Sequence, residues 1–358
     1  MLIRRRARSL AIVALAAVAA LGLSACGGSS GGGGGDSSGA APSASDTNPV
    51  NSTPTQLSLI GYSVAKAVYD TLQPGFAATN AGHDVTWQSS YGASGDQSRA
   101  VVAGQKADYV ALSLEPDVTR IVQAGLIDPS WNAGPTKGMV SDSVVVISVR
   151  KGNPLKIKGW DDIIKPGVKI VTPNPSSSGA AKWNIMAAYA HGFANGGETG
   201  ADNYLTSFYK NVVSMPASGR DATTAFVNGT GDVLISYENE AILARQQNQP
   251  LDYIVPDDTF LIENPAAVTK SAPPQATAFL NYVLSPAGQK LFVQSGFRPV
   301  VPGTPTKDVK GANDPNNPFP TPKTLKTIQD FGGWSTVNTQ LFDPTNGTVT
   351  KIQKAAGL

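Results

Sequence analysis

The chain has 358 residues, with 28 Lys and Arg against 26 Asp and Glu (formal net charge +2), one Cys, two His, 37 Gly and 26 Pro. A charge near zero with no basic block in the body excludes a nucleic-acid binder that works through phosphate contacts. One Cys excludes a disulfide framework or a zinc–thiolate centre, and two distant His leave no multi-His site, so no metal and no cofactor are expected.

Arg4, Arg5, Arg6 and Arg8 make a basic start, residues 10–21 are almost unbroken Ala, Leu, Ile and Val, and Leu23-Ser24-Ala25-Cys26-Gly27 follows. A short apolar run ending in small residues predicts a secretory signal, too short to stop as a membrane span. The residues before Cys26 resemble the lipobox of bacterial lipoproteins. That resemblance implies removal of residues 1–25 and lipidation of Cys26, against a plain signal peptide with a chance Cys. Several acyl chains anchor stably, since each buried CH₂ contributes about 0.8 kcal/mol. Residues 26–56 are rich in Gly, Ser, Ala, Pro and Asp, with a pure glycine run at 31–35. Such a composition buries no core and predicts a flexible leash with an r.m.s. span of about 30 Å.

From residue 57 apolar runs alternate with helical patterns. Strands are expected at 57–62, 85–88, 107–114, 143–150, 168–172, 232–237, 251–255 and 266–269. Helices are expected at 63–80 (with Pro74 as a break or kink), 96–103, 117–124, 160–164, 179–191, 201–210, 221–228, 238–247, 275–284 and 286–295. The near-continuous apolar strands read as parallel and buried on both faces. The class is α/β, and the length suits two lobes. Residues 143–150, ending in Lys151-Gly152-Asn153-Pro154, and the extended Ile262-Glu263-Asn264-Pro265 are expected to cross between lobes as a two-strand hinge. Lobe 1 is then 57–146 with 262–358, and lobe 2 is 147–261. Ligands of such sheets sit at strand C-termini.

The most informative stretch is Pro173-Asn174-Pro175-Ser176-Ser177-Ser178-Gly179-Ala180. A strand ends and a helix begins among small residues, where free N–H groups can hold an anion. Alternatively Ser178 simply caps its own helix. Tyr91-Gly92-Ala93-Ser94-Gly95 and Ser218-Gly219-Arg220 are further small-residue helix starts, and Ser63 opens the first helix. Together the four look like one polydentate site. Catalysis reads poorly. Ser63-Val64-Ala65-Lys66 fits Ser-x-x-Lys, but the Lys-Thr-Gly and Ser-x-Asn partners are missing. Gly92-Ala93-Ser94-Gly95 falls short of a nucleophile elbow, and neither His83 nor His191 has a triad context. Tyr237-Glu238-Asn239-Glu240, at a strand end, offers polar ligand contacts or a solvated helix start.

These segments resemble the sulfate/thiosulfate-binding proteins of ABC importers. Lys151-Gly152-Asn153-Pro154, Trp160-Asp161-Asp162, Lys165-Pro166-Gly167, Thr172 to Asn184, Gly231 to Ile235, Glu238-Asn239-Glu240-Ala241, Phe297-Arg298-Pro299 and Gly332-Gly333-Trp334 match in order over nearly the whole body. The stretches 91–99 and 236–242 are most similar to the actinobacterial branch. The resemblance implies a periplasmic-binding-protein fold of the second type, two α/β lobes on a two-strand hinge with the anion in the cleft. It implies ligand contacts at Ser178 (hydroxyl), Gly179, Ala180, Ser94, Gly219 with Arg220, Ser63, and Tyr237 in the place of an indole donor. Ala180 and Ser63 depart from the family's Gly and Asp but keep the backbone N–H. Tyr237 offers a hydroxyl, which also accepts and would tolerate a protonated anion.

The expected function is a lipid-anchored receptor on the outer face of the cell membrane. It captures sulfate or thiosulfate and docks, as a monomer, on a permease with a cytoplasmic ATPase; it is not an enzyme. Molybdate or phosphate is the alternative within the class; a secreted serine hydrolase using Ser63 or Ser94, or an adhesion protein, lies outside it. Without residues 1–25, 28 basic residues less four Arg leave 24 against 26 acids, so backbone donors rather than net charge would hold the dianion.

Overall fold

The computed structural model describes residues 48–358. The expected signal 1–25, Cys26 and the leash up to residue 47 lie outside the described residues. The last residues before the first strand are tied down: the Asn51 N–H donates to the Asn80 carbonyl at 2.8 Å, and its side chain donates to the His83 carbonyl at 2.6 Å.

In chain order, β1 (Thr55–Tyr62) runs through a 3₁₀ turn, Ser63–Ala65, into α1 (Lys66–Ala77). Pro74 lies inside α1 and does not end it. Then come β2 (Val85–Gly92), α2 (Ser94–Val102), β3 (Tyr109–Ala111) and α3 (Glu115–Gln123). β1 pairs in parallel with both β2 and β3. Tyr69, Phe76, Tyr109, Phe279 and Phe292, all fully buried, interlock at tilted and edge-to-face angles on this half. Each such side chain stabilises the fold by roughly 1.5–3 kcal/mol through burial alone.

The long strand β4 (Met139–Arg150) leads to the second half: α4 (Trp160–Ile163), β5 (Ile170–Val171), α5 (Gly179–Ala194), α6 (Gly197–Asn211), β6 (Val212–Ser214), α7 (Gly219–Val227), β7 (Val233–Tyr237), α8 (Glu238–Gln246) and β8 (Leu251–Ile254). β5 pairs in parallel with β6 and β7. The return strand β9 (Asp258–Val268) is followed by α9 (Pro274–Val283), α10 (Pro286–Gln294), β10 (Thr324–Lys326), α11 (Gly333–Gln340) and α12 (Thr348–Ala355).

β4 and β9 serve both halves. Residues 139–144 of β4 pair antiparallel with 261–265 of β9, while 145–149 pair with β7 and 147–150 with β8. The end of β9 pairs antiparallel with β3. The strand order is β2-β1-β3-β9-β4-β7-β5-β6, with β8 on β4 and β10 on β9. The wholly parallel reading is therefore corrected: pairs within each half are parallel, and most pairs made by the two crossing strands are antiparallel. An apolar run such as Val144 to Val149 reports burial on both faces, not strand direction.

The C-terminal tail packs largely on the second half. β10 pairs with the start of β9, Phe331 lies tilted against Phe260, Trp334 meets the Trp183 ring edge-on at 4.7 Å, and α12 lies against α6. The apolar pattern of the sequence predicts no elements at β6, β10, α11 or α12.

Candidate functional site

The starts of four helices converge on one tight cavity. Its walls are Tyr62-Ser63-Val64 ahead of α1, Gly92-Ala93-Ser94 at the start of α2, Ser178-Gly179-Ala180 at the start of α5, Ser218-Gly219 at the start of α7, and Ser113 between β3 and α3. The first N–H groups of a helix have no intrahelical acceptor, and its dipole is positive at this end. No charged side chain is among these wall residues, so the cavity offers a negative ligand backbone N–H groups and hydroxyls rather than a counter-charge.

Close approach between the halves requires glycine at two of these positions. A Cβ on Gly179 would lie 2.7 Å from Ser113 Oγ and 2.8 Å from Leu114 Cγ; one on Gly219 would lie 2.9 Å from Val64 Cγ2. The orientation of α7 is set from its far end. Arg150 donates to the carbonyls of Phe226 at 2.6 Å, Thr230 at 2.8 Å and Gly231 at 2.6 Å, and its guanidinium sits 4.0 Å above the Phe226 ring. A cation at a helix C-terminus complements the dipole whose positive end faces the cavity. The halves also bond across the cavity rim. The Gly95 N–H donates to the Ser177 carbonyl at 3.0 Å, and the Trp183 indole donates to the Ser113 carbonyl at 2.9 Å.

Six of the eight residues singled out from the sequence line this cavity: Ser63, Ser94, Ser178, Gly179, Ala180 and Gly219. The hydroxyl of Ser94 is already taken, donating to Asp117 Oδ2 at 2.6 Å and accepting from the Ser113 N–H at 2.9 Å. Ser178 takes the capping role at the edge of the cavity. Its N–H donates to the Asn174 carbonyl at 2.8 Å, and its Oγ caps α5 by accepting from the Ala181 N–H at 3.4 Å. A cap of that kind uses a lone pair and leaves the hydroxyl proton for the cavity.

Arg220 and Tyr237 stand outside the lining. The Arg220 guanidinium is taken up by Glu240, at 2.5 and 3.1 Å, and Glu240 also accepts from Thr223 at 3.0 Å. From there Arg220 reaches only the Val64 carbonyl, at 3.4 Å. Tyr237 places its hydroxyl 2.7 Å from Ser113 Oγ, one layer behind the wall. Burial first, then the nearby Tyr237 and Glu240, raises the phenol of Tyr62 well above its ordinary range; burial likewise raises that of Tyr237. Both stay protonated. The Tyr62 hydroxyl is buried with no protein partner.

Sequence reasoning missed Ser113, Tyr62 and Val64 as wall residues, and held Gly92, Ala93 and Ser218 only as parts of the flagged helix starts, not as contacts. Ser113 carried a usable signal, a hydroxyl just past a strand's C-terminal end, the edge where α/β ligands bind. The basic side chains that a hydrolase would need are engaged elsewhere. Lys66 is paired with Asp70, His83 meets the Asn51 carbonyl, and His191 is held by Asp258 and Asp161.

Residues 57–298 match the family described as bacterial extracellular solute-binding protein. The chain belongs to this family. Within it, the sulfate-binding protein of Synechococcus elongatus is 39% identical over 315 residues, covering 84% of this chain and 87% of the relative. The thiosulfate-binding protein of Escherichia coli (strain K12) is 33% identical over 300 residues, covering 79% and 87%. Among solved structures, the sulfate-binding protein SubI from Mycobacterium tuberculosis H37Rv superposes with a TM-score of 0.76 at 43% identity, covering 81% of this chain and 100% of that one. The periplasmic binding protein P5PA, at 21% identity and a TM-score of 0.60, shares the fold. The two α/β halves joined by β4 and β9 are the bilobed architecture of this solute-binding family, as the sequence resemblance implied.

Proposed function

We propose that the protein captures sulfate or thiosulfate outside the cytoplasm and delivers it to the permease of an ATP-driven importer. The observation that carries this reading is the neutral cavity walled by four helix starts. A fully ionised tetrahedral dianion has only acceptors, and a wall rich in backbone N–H and hydroxyl donors satisfies it without a buried counter-charge. Hydrogen phosphate carries a proton that needs an acceptor, and leaving it unmet is unfavourable by several kcal/mol. The names of the relatives point to the same ligands.

In this reading the Ser178 hydroxyl and the backbone N–H groups of Ser63, Ser94, Gly179, Ala180 and Gly219 hold the anion. Arg220 and Tyr237 act one layer back. Residues 57–146 with 262–358 form one lobe and 147–261 the other, capture being closure about β4 and β9, with the tail from β10 onward laid over the second lobe. Cys26 carries the lipid that keeps the receptor at the outer face of the membrane, and no reaction is catalysed.

Calorimetric titration with sulfate, thiosulfate, molybdate and phosphate tests the reading. Saturable binding of sulfate or thiosulfate with phosphate excluded is the expected result. A folded, ligand-free protein that binds neither overturns it.

A further inference from the structure

Ser113 is held at both ends of its peptide. Its N–H donates to Ser94 Oγ at 2.9 Å. Its carbonyl accepts from the Trp183 indole at 2.9 Å and from Asn264 Nδ2 at 3.2 Å. These partners come from α2, α5 and the crossing strand β9, so both halves and the hinge fix the same residue. Only the hydroxyl is left to vary. It lies on the cavity side, with Oγ 2.7 Å from where a Cβ on Gly179 would stand.

That hydroxyl is 2.7 Å from the Tyr237 hydroxyl, and either oxygen can donate to the other. Two hydroxyls sharing one hydrogen bond leave one proton over. If Tyr237 donates, the spare proton belongs to Ser113, which lines the cavity. A hydroxyl that accepts at its oxygen becomes a stronger donor.

We propose that Ser113 is a direct donor to the bound anion and that Tyr237 is the positioning residue that turns the Ser113 proton into the cavity. The proposal rests on the oxyanion reading and deepens it. Tyr237 itself stops one layer short of the cavity, and Ser113 carries its proton donation to the wall through a relay: Tyr237 O–H to Ser113, Ser113 O–H to the anion. The relay spans both halves and forms only when they meet, so the full donor set exists only in the closed receptor. A serine held at N–H and C=O by three elements donates without reorganising when the anion arrives.

Sulfate titrations of the wild type, Ser113→Ala, Tyr237→Phe and the double variant decide it, each variant's ligand-free unfolding midpoint being measured alongside. Ser113→Ala is expected to weaken sulfate binding about ten- to a hundredfold, the range for a hydrogen bond to a charged group. Tyr237→Phe is expected to weaken it less, because the serine proton is freed rather than removed. The double variant is expected to bind as Ser113→Ala alone does. Losses that multiply in the double variant would mean that Tyr237 touches the anion itself, and the relay falls. Unchanged binding by Ser113→Ala also overturns it. A wild type that binds no sulfate overturns the oxyanion reading, and the relay with it.

Discussion

The cavity and the layer around it treat charge in opposite ways. The cavity wall holds hydroxyls, glycines and alanines and no ionised side chain. One layer out, ions are buried deeply. Glu238 is 0% exposed and paired with Arg298 at 2.7 Å, and Glu240 is 1% exposed and paired with Arg220 at 2.5 Å. Asp117, behind Ser94, is held by Arg120 at 2.9 Å. A receptor that must also let go of a dianion gains from this division. A cation in the wall would hold the ligand by a strong, poorly selective attraction. Backbone amides, which only donate, instead favour the fully ionised anion, and the Asp117–Arg120 pair behind Ser94 fixes where its hydroxyl points.

The two layers are expected to fail differently when damaged. The largest effect is expected from Glu238→Gln. It leaves Arg298 buried without its counter-ion, and removing one partner of such a pair destabilises by about 3–5 kcal/mol. Denaturant unfolding should show that loss, while the variant that remains folded still binds sulfate close to wild-type affinity. An affinity that collapses while stability holds would place Glu238 in the site. Ser178→Ala should do the reverse. It removes a donor to a charged ligand, a loss of about 1.5–3 kcal/mol in affinity read by calorimetry, with less change in unfolding because the cap to Ala181 is long at 3.4 Å. Equal affinity in both proteins would remove Ser178 from the ligand set.

How much of this is readable in the sequence depends on the range of each interaction. A strand ending in small residues before a helix is a local pattern, and it located Ser178, Gly179, Ser94 and Gly219. The family resemblance implied a common purpose for them. What stayed hidden was long-range. Arg220 and Glu240 are 20 residues apart, Ser113 and Tyr237 are 124 apart, and nothing in either neighbourhood announces the other. The tail escaped for a different reason. β10 has three residues, and α11 and α12 have eight each, too short for periodicity to stand out among Pro and Gly.

The crossing strands extend the comparison to pH. Asp142 on β4 faces Glu263 on β9, and Arg298 lies nearby. Burial, then Glu263, pushes the Asp142 carboxyl up to about 8 against the opposing pull of Arg298. The folded protein therefore holds a proton that the unfolded chain gives up near pH 4. The contribution to stability is fully present below about pH 4 and is lost as pH rises through about 8, at no more than about 1.4 kcal/mol per pH unit. Asp142→Asn mimics the protonated acid and should flatten the decline of unfolding free energy over that interval. A decline as steep as in the wild type would place its source elsewhere.

The smallest effect is expected at His191, which lies on α5 far along from the helix start that walls the cavity. Burial works against its charge, but hydrogen bonds to Asp258 Oδ2 at 2.7 Å and Asp161 Oδ1 at 2.9 Å outweigh it and raise its pKa. A raised folded-state value means the clip stabilises fully below the unfolded pKa of about 6.5 and releases as pH climbs through the folded value. Asp161 is 82% exposed, so screening should keep the contribution under about 1 kcal/mol. His191→Gln should remove a shallow decline in thermal midpoint between weakly acidic and weakly alkaline buffer while leaving sulfate affinity at a single pH unchanged. An affinity change of about tenfold or more in His191→Gln, about 1.4 kcal/mol, would show that the charged layer reaches the anion through α5, and the separation between a neutral site and a charged surround would no longer hold.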